Sequence, residues 1–475
     1  MMRKILFLLI FFALSGCTQA LVQQNVRPDQ LTFPPLEFKF PEVAQQQLEN
    51  GMKVYLKEDH ELPLVELTIL VEGGSIYDPL EKTGLSQFFA RTLSTGGTQR
   101  SAPAELEEEL ESMAAQLSVS SSLYSYEINL SLNRQDVERG IEILAELLRQ
   151  PRFDMKRMEL VRAQMLEEIK RKNDDPGSIA GRLLEKSIYR DHPLGAYPTV
   201  ASIESFKRED LAQLHQRYFQ PQNVWLAASG DVTQPELISL LQQHLGDWPQ
   251  GNTKLAPIPV PPAAPAGKII LAEKDIPQTT ILLGHPGIDK DNPDVFALKV
   301  ANFILGGGGF NSRLMREIRS DRGLAYSVYS YFDIGRRLPG LFIAGSETKS
   351  TSTAEVVRLF QQLIEQIRDE PVSAAELELA KKSLINSFIF AFENSHSIVS
   401  RKVRLDYYDY PKDYLETYRQ KLAAVTVDDV QRVAHKYLHP DRLQIVLVGN
   451  SQTYRDDIET LGLPVESVDL QVLED

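Results

Sequence analysis

The chain has 475 residues, enough for two to four domains, and its 43% hydrophobic and 24% charged content is ordinary for globular proteins. Its formal net charge of −14 argues against a nucleic-acid-binding surface as the main function. Because Cys17 is the single cysteine, the sequence excludes an intramolecular disulfide and a cysteine-based zinc site.

The first residues predict an export signal. Arg3 and Lys4 precede an apolar run at 5–14 that is too short to span a bilayer stably. We therefore expect a signal peptide at 1–16.

The end of this segment, Leu-Ser-Gly-Cys at 14–17, resembles a bacterial lipobox, which predicts cleavage before Cys17 and lipidation of its thiol. The alternative is an unmodified thiol within a cleaved signal. Thr18 follows rather than aspartate, so by resemblance to bacterial lipoproteins we expect delivery to the outer membrane, facing the periplasm. Residues 17–44 carry few periodic apolar positions and predict a tether.

A proline-rich linker at 251–266 divides the rest into two halves of about 210 residues that repeat each other. At a constant offset of 219 residues, Tyr218 corresponds to Tyr437 and Gly230 to Gly449. Each matched stretch predicts a helix, a proline break and a strand. The repeat indicates an α+β protein made of two homologous α/β-sandwich domains.

The domain boundaries follow from this repeat. We expect an N-terminal domain at 45–250, a C-terminal domain at 267–455 and a C-terminal tail at 456–475. Strands are predicted at 52–56, 65–71, 268–272 and 279–284, and amphipathic helices at 104–117, 137–149 and 155–172.

A glycine-rich stretch in the second half, LGGGGFNSRLMREIRSDRGLAY at 305–326, predicts a loop, a short helix, a tight turn at Gly323 and then a strand. Arg319 and Tyr326 lie seven residues apart across that turn. A guanidinium and a phenol placed in this way are able to donate to one oxyanion. The alternative is that Arg319 is an ordinary surface residue and Tyr326 an ordinary core residue.

This stretch resembles the C-terminal domain of the pitrilysin/insulinase family of zinc peptidases, in its bacterial and mitochondrial-processing-peptidase-like branch. In that family an Arg–Tyr pair donates hydrogen bonds to the tetrahedral intermediate, and Arg319 and Tyr326 match its positions. The resemblance extends over roughly residues 45–455 and implies two homologous domains.

The same resemblance locates a zinc motif that this chain lacks. Family members carry H-x-x-E-H after a Gly-Leu pair, with a glutamate ligand 77 residues further on. Here Gly84-Leu85 is followed by Gln87, Ala90 and Arg91 at the His, Glu and His positions, and Glu168 stands 77 residues beyond Arg91. We expect no metal on this chain and a salt bridge between Arg91 and Glu168; the alternative is that Glu168 is a solvated helix residue.

A serine-rich segment at 117–132 predicts a strand with a polar start. The family resemblance implies that a substrate peptide adds along this strand, near Ser118, Ser120 and Ser122. A strand wholly paired within its own sheet is the alternative.

The resemblance implies a pseudopeptidase subunit of a heteromeric zinc metallopeptidase. It would be inactive alone, would hold no cofactor, and would supply Arg319 and Tyr326 to the zinc site of a family partner while helping to enclose peptides. A non-catalytic peptide-binding or scaffolding lipoprotein of the cell envelope is the second hypothesis. The sequence lacks both the P-loop pattern and the G-x-S-x-G elbow, so neither chemistry is expected.

Overall fold

The computed structural model describes residues 39–470. The expected signal peptide at 1–16, the lipidation site Cys17 and most of the expected tether lie outside the described residues. No helix within 39–470 is long and apolar enough to cross a membrane.

The first half forms a six-stranded mixed sheet in the order β1-β2-β6-β3-β5-β4. Only β2 and β6 run parallel to each other; the other neighbouring strands are antiparallel. The central strand β3 is buried on both faces over most of its length, as expected for a strand covered on two sides. The strands are β1 Ala44–Gln47, β2 Lys53–Glu58, β3 Leu64–Glu72, β4 Gln116–Ser121, β5 Ser125–Asn133 and β6 Val224–Gly230.

The second half repeats this topology in a sheet of order β12-β7-β11-β8-β10-β9. The series β7-β11-β8-β10-β9 corresponds strand for strand to β2-β6-β3-β5-β4, which confirms the predicted duplication and the α+β class. The strands are β7 Lys268–Glu273, β8 Gln278–Pro286, β9 Ala325–Phe332, β10 Leu341–Lys349, β11 Gln444–Gly449 and β12 Val465–Val468.

One face of the first sheet is covered by helices of the same half. Their buried apolar residues, including Phe88, Ile141 and Leu211, form one continuous core with the inward-facing strand residues. The helices of the first half are α1 Leu85–Thr95, α2 Pro103–Ser112, α3 Val137–Arg149, α4 Met155–Lys170, α5 Pro176–Tyr189, α6 Val200–Ser205, α7 Arg208–Tyr218 and α8 Gln234–Leu245. Of these, α5 does not contribute to this core.

The predicted helix at 104–117 is too long. α2 ends at Ser112 because Ala114 adopts a left-handed conformation with φ of 50°, and residues from Gln116 onward enter β4. Helix periodicity at 113–117 was therefore coincidental, since Leu117 points from a strand.

The second sheet is covered in the same way, with a core that includes Leu298, Phe360 and Val433. The helices of the second half are α9 Val295–Asn302, α10 Thr353–Asp369, α11 Ala374–Ser387, α12 Ser395–Tyr407, α13 Tyr414–Ala423, α14 Val427–Tyr437 and α15 Arg455–Glu459. Of these, α12 does not contribute to this core.

Each half also packs one of its helices on the sheet of the other half. From the first half, α5 packs Ile179 and Leu184 against Ile270 and Val446 on the remaining face of the second sheet. From the second half, α12 packs Val399 and Val403 against the remaining face of the first sheet. The two domains are therefore interlocked, although the repeat divides them cleanly along the chain.

Part of the segment expected as a C-terminal tail, 456–475, contributes to the second sheet. β12 pairs in parallel with β7, from Val465 opposite Ile269 to Val468 opposite Ala272, and so forms the outer strand of the second sheet. The sequence of β12 does not predict a strand, because an edge strand of four residues buries too few side chains to show an apolar alternation.

Candidate functional site: a degenerate zinc motif and an Arg–Tyr pair

The helix α1, which carries the degenerate motif, is fixed at its N-terminus by the buried carboxylate of Asp78. That carboxylate accepts hydrogen bonds from the backbone N–H of Gly84 at 3.2 Å, from that of Ser86 at 3.1 Å, and from Ser86 Oγ at 2.6 Å. Burial raises the pKa of Asp78 to about 6, against the opposing effect of these bonds. Gly84 has φ of 94°, and a Cβ there would lie 2.8 Å from Pro198 Cγ, so the turn requires glycine.

The motif positions lie on this helix as their spacing predicts. Ala90 is buried in the core and Gln87 is half-buried. Arg91 reaches α4 and forms two hydrogen bonds with Glu168, Nη1 to Oε1 at 2.7 Å and Nη2 to Oε2 at 3.0 Å. The planar guanidinium matches a carboxylate in this bidentate way.

These four positions do not fit a zinc ion. The carboxylate that would ligate the metal is taken by a guanidinium, which cannot donate an electron pair, and Ala90 has no group that accepts a proton from water. Between residues 39 and 470, no group of three or more His, Cys, Asp or Glu side chains could hold a metal ion.

The glycine-rich stretch of the second half forms a compact turn next to β9. Gly306 packs so closely that an added Cβ would lie 2.4 Å from Ser330 Oγ, and Gly323 has φ of 64°. The predicted short helix is a π-helical segment, Met315–Asp321. At its start, the Met315 N–H donates to Ser312 Oγ at 3.4 Å. π-Helical turns are rare and frequently lie at functional sites.

Arg319 projects from this π-helical segment between two exposed aromatic rings. Its guanidinium carbon lies 4.5 Å from the centroid of the Tyr326 ring and 4.6 Å from that of Phe310. Tyr326 is 82% exposed and Phe310 is 65% exposed. Within residues 39–470, Arg319 has no carboxylate within 4.0 Å, and the Tyr326 hydroxyl has no hydrogen bond. The tyrosine is not a core residue.

Family models match both halves of the chain. Residues 53–199 match the model described as Insulinase (Peptidase family M16), and residues 205–384 match that described as Peptidase M16 inactive domain. An uncharacterized zinc protease of Mycobacterium leprae is 31% identical over 324 residues, which are 64% of this chain and 69% of that relative. The chain belongs to the insulinase family, peptidase family M16.

Other family members agree with this assignment. A protein of Helicobacter pylori called non-peptidase homolog YmxG is 27% identical over 403 residues, which are 84% of this chain and 92% of that protein. The crystal structure of a peptidase M16 inactive domain from Pseudomonas fluorescens has a TM-score of 0.78 at 27% identity, covering 86% of this chain and 98% of that one. The prediction of an insulinase-family member without the zinc motif is confirmed.

A buried ion pair that the sequence did not reveal holds the glycine-rich turn of this insulinase-family chain. Arg313 is buried, and its Nε and Nη2 donate to Glu376 on α11 at 2.8 and 3.1 Å. These bonds from Arg313 are the largest cause lowering the pKa of Glu376, to about 2. The pair fixes the base of the segment that carries Arg319. Glu376 also completes a capping box with Ser373, which was a detectable sequence signal for the start of α11.

The serine positions lie at the edge of the first sheet. Among the described strands, β4 pairs with β5 alone, and the side chains of Ser118 and Ser120 are exposed. Ser122 lies beyond the strand, in the hairpin turn, where its Oγ contacts Ser125 Oγ at 2.9 Å. In the repeat, β9 is the counterpart of β4, so Tyr326 and the serines occupy equivalent edges of the two sheets.

Proposed function

We propose that this insulinase-family chain is the non-zinc subunit of a heteromeric metallopeptidase. In this proposal Arg319 and Tyr326 donate hydrogen bonds to the oxyanion that forms when a peptide carbonyl is attacked at the zinc site of a family partner. The two subunits enclose the peptide between them. The partner's zinc supplies the activated water.

The observation that carries the proposal is that the half-buried Arg319 lies over the ring of the exposed Tyr326. A guanidinium stacked on an aromatic ring is held in place with little remaining conformational freedom. Because Arg319 has no carboxylate partner in the described part of the chain, its N–H donors stay available to an incoming anion. Preorganised donors of this kind stabilise charge that develops in a transition state.

The degenerate motif explains why the proposal needs a partner. Gln87, Ala90 and Arg91 provide neither the ligands nor the base of a zinc peptidase, and Glu168 is already paired with Arg91. We propose that the chain holds no cofactor and does not cleave peptides alone.

Substitution of the pair tests the proposal in the reconstituted complex with a zinc-bearing family partner. Arg319→Ala and Tyr326→Phe should each lower kcat by about 10²–10³ while the two subunits still co-purify. Arg316→Ala is the matched control, because Arg316 is an exposed arginine on the same π-helical segment. Unchanged turnover in both variants would contradict the proposal and favour a non-catalytic peptide-binding or scaffolding lipoprotein.

We propose further that the edge of β4, at Ser118 and Ser120, receives the substrate backbone. Its outer side has no strand neighbour in the described part of the chain, so its N–H and C=O groups are able to pair with an extended peptide. Replacing Val119, which lies between them on β4, by proline removes one ladder N–H and should raise KM without changing zinc content of the complex.

The cellular location is also a proposal, because Cys17 lies outside the described residues. We propose a lipid anchor at Cys17 and a place in the bacterial envelope, at the outer membrane facing the periplasm. The Cys17→Ala variant should leave the membrane fraction, and mass spectrometry of the wild-type N-terminus should show diacylglycerol on cysteine. An unmodified thiol in the membrane fraction would overturn it.

A further inference from the structure

The exposed ring of Phe310 is a feature of the candidate site that the proposed function does not explain. Phe310 is 65% exposed, and its ring centroid lies 4.6 Å from the guanidinium carbon of Arg319. The ring of Tyr326 contacts the same guanidinium at 4.5 Å. Arg319 therefore rests against two rings, whereas the proposed function gives a role to Tyr326 alone.

The backbone around Phe310 is held in a tight turn, so the place of its ring is defined although the ring is exposed. Phe310 is the middle residue of the 3₁₀ turn Gly309–Asn311. Gly309 begins this turn with φ of 56°, a conformation that favours glycine. Ser312 closes it, because its N–H and its Oγ both donate to the carbonyl oxygen of Gly309, at 2.9 and 2.7 Å.

The start of the glycine-rich loop is tied to β9, the strand that carries Tyr326. Asn302 Nδ2 donates to the carbonyl oxygen of Ser330 at 3.1 Å, and Ser330 Oγ donates to Asn302 Oδ1 at 2.8 Å. Ser330 is buried and lies on the same strand as Tyr326. The rings of Phe310 and Tyr326 therefore stand on backbone segments that are bonded to each other, and the guanidinium of Arg319 lies against both rings.

Two rings orient a guanidinium without occupying its donors. An unrestrained arginine samples several rotamers, few of which place its N–H groups at a given anion. An aromatic ring attracts the face of the guanidinium and leaves the N–H groups at its edge able to donate. Within residues 39–470, Arg319 has no carboxylate within 4.0 Å, so these ring contacts take the place of an ion pair in orienting it.

We propose that Phe310 is a positioning residue: its ring and that of Tyr326 form an aromatic clamp that holds Arg319 with its N–H groups directed at the oxyanion. The inference rests on the proposed function for the identity of that anion. Tyr326 then has two separable roles, because its ring belongs to the aromatic clamp and its hydroxyl donates to the oxyanion. Phe310 acts through Arg319 and not by contact with the substrate.

The first measurement uses the full chain without a partner. The order parameter of the Arg319 Nε–Hε bond, assigned by loss of its signal in Arg319→Lys, should fall from about 0.8 to about 0.6 or less in Phe310→Leu. Phe310→Tyr and Tyr326→Phe keep both rings and should keep the wild-type value. Phe390→Leu is the matched control, because Phe390 is 66% exposed and lies in another segment, Phe388–Phe392. An unchanged order parameter in Phe310→Leu would overturn the aromatic clamp.

The second measurement is turnover by the reconstituted complex with a zinc-bearing family partner. Phe310→Leu should lower kcat about three- to tenfold and leave KM unchanged, and Phe310→Tyr should keep the wild-type rate. This loss is smaller than the 10²–10³ expected for a lost donor, because the donor remains and only its orientation is freed. Since the ring of Phe310 is exposed, Phe310→Leu should also keep the wild-type melting curve.

A double-mutant cycle tests whether Phe310 acts through Arg319. In the Arg319→Ala background, Phe310→Leu should cause no further loss of kcat. The same loss in both backgrounds would overturn the positioning role. An unchanged kcat in Arg319→Ala alone would contradict the proposed function instead, and the order parameter of Arg319 would still decide whether the aromatic clamp exists.

Discussion

At the residue scale, the bidentate pairs Arg91–Glu168 and Arg313–Glu376 lie in contrasting environments. Arg91 and Glu168 are 31% and 55% exposed, whereas Arg313 and Glu376 are 8% and 21% exposed. Exposed pairs contribute little to stability because water screens them, while removing one partner of a buried pair leaves an uncompensated charge.

These two pairs give a matched prediction. Arg91→Ala should change the free energy of unfolding by less than about 1 kcal/mol, and Arg313→Ala should lower it by about 3–5 kcal/mol. Urea denaturation of both variants measures the difference. Equal losses would mean that the Arg91–Glu168 pair is a structural replacement for the zinc ion.

The Arg313–Glu376 pair also predicts a pH dependence. Because the pKa of Glu376 falls from 4.5 to about 2 on folding, its ionised form stabilises the native state fully above pH 4.5. This contribution is lost as pH falls from 4.5 through about 2. Urea midpoints measured across that window should fall less steeply for Glu376→Gln than for the wild type. If the urea midpoints of both proteins fell equally steeply with pH, the stabilising role of ionised Glu376 would be contradicted.

At the scale of elements, α1 depends on one buried carboxylate. Asp78→Ala removes the acceptors of the Gly84 and Ser86 N–H groups and of Ser86 Oγ, so it should lower the free energy of unfolding by about 1–3 kcal/mol. Hydrogen exchange should rise first at residues 84–88. Asp136→Ala is the control, because Asp136 precedes α3 without a side-chain cap bond. If Asp78→Ala were as stable as Asp136→Ala, the role of Asp78 in fixing the N-terminus of α1 would be contradicted.

The elements also show how far the sequence predicted the fold. The helix Val137–Arg149 and the strands around Leu64–Glu72 and Gln278–Pro286 follow from local periodicity, which depends on residues close together in the chain. The end of α2 does not follow from local periodicity, because the left-handed residue Ala114 ends the helix within a run of helix-forming residues. β12 has too few paired residues to leave a pattern.

At the scale of the whole molecule, the exchanged helices α5 and α12 make the halves depend on each other. Without α12 the first sheet exposes Leu70 and Ala227, and without α5 the second exposes Ile270 and Val446. Each isolated half would therefore present an apolar sheet face to water.

This interlocking predicts that residues 45–250 and 267–475 expressed separately do not fold alone, whereas their co-expression gives a soluble pair. Circular dichroism and co-purification measure the outcome, and the full chain should unfold in one transition. Two independently folded halves, or two separate transitions in the full chain, would contradict it.

The sequence by itself determined the family, the duplicated fold, the loss of the zinc ligands and the positions of Arg319 and Tyr326. These features are carried by residue types at fixed spacings, which a single chain displays without being folded. The tertiary structure decided that Arg91 pairs with Glu168, that Arg313 is buried against Glu376, that the halves exchange helices and that two aromatic rings contact the guanidinium of Arg319. Each of these contacts joins residues on different elements. The partner that each of these residues contacts depends on how the helices pack on the sheets, and this packing is a property of the whole chain.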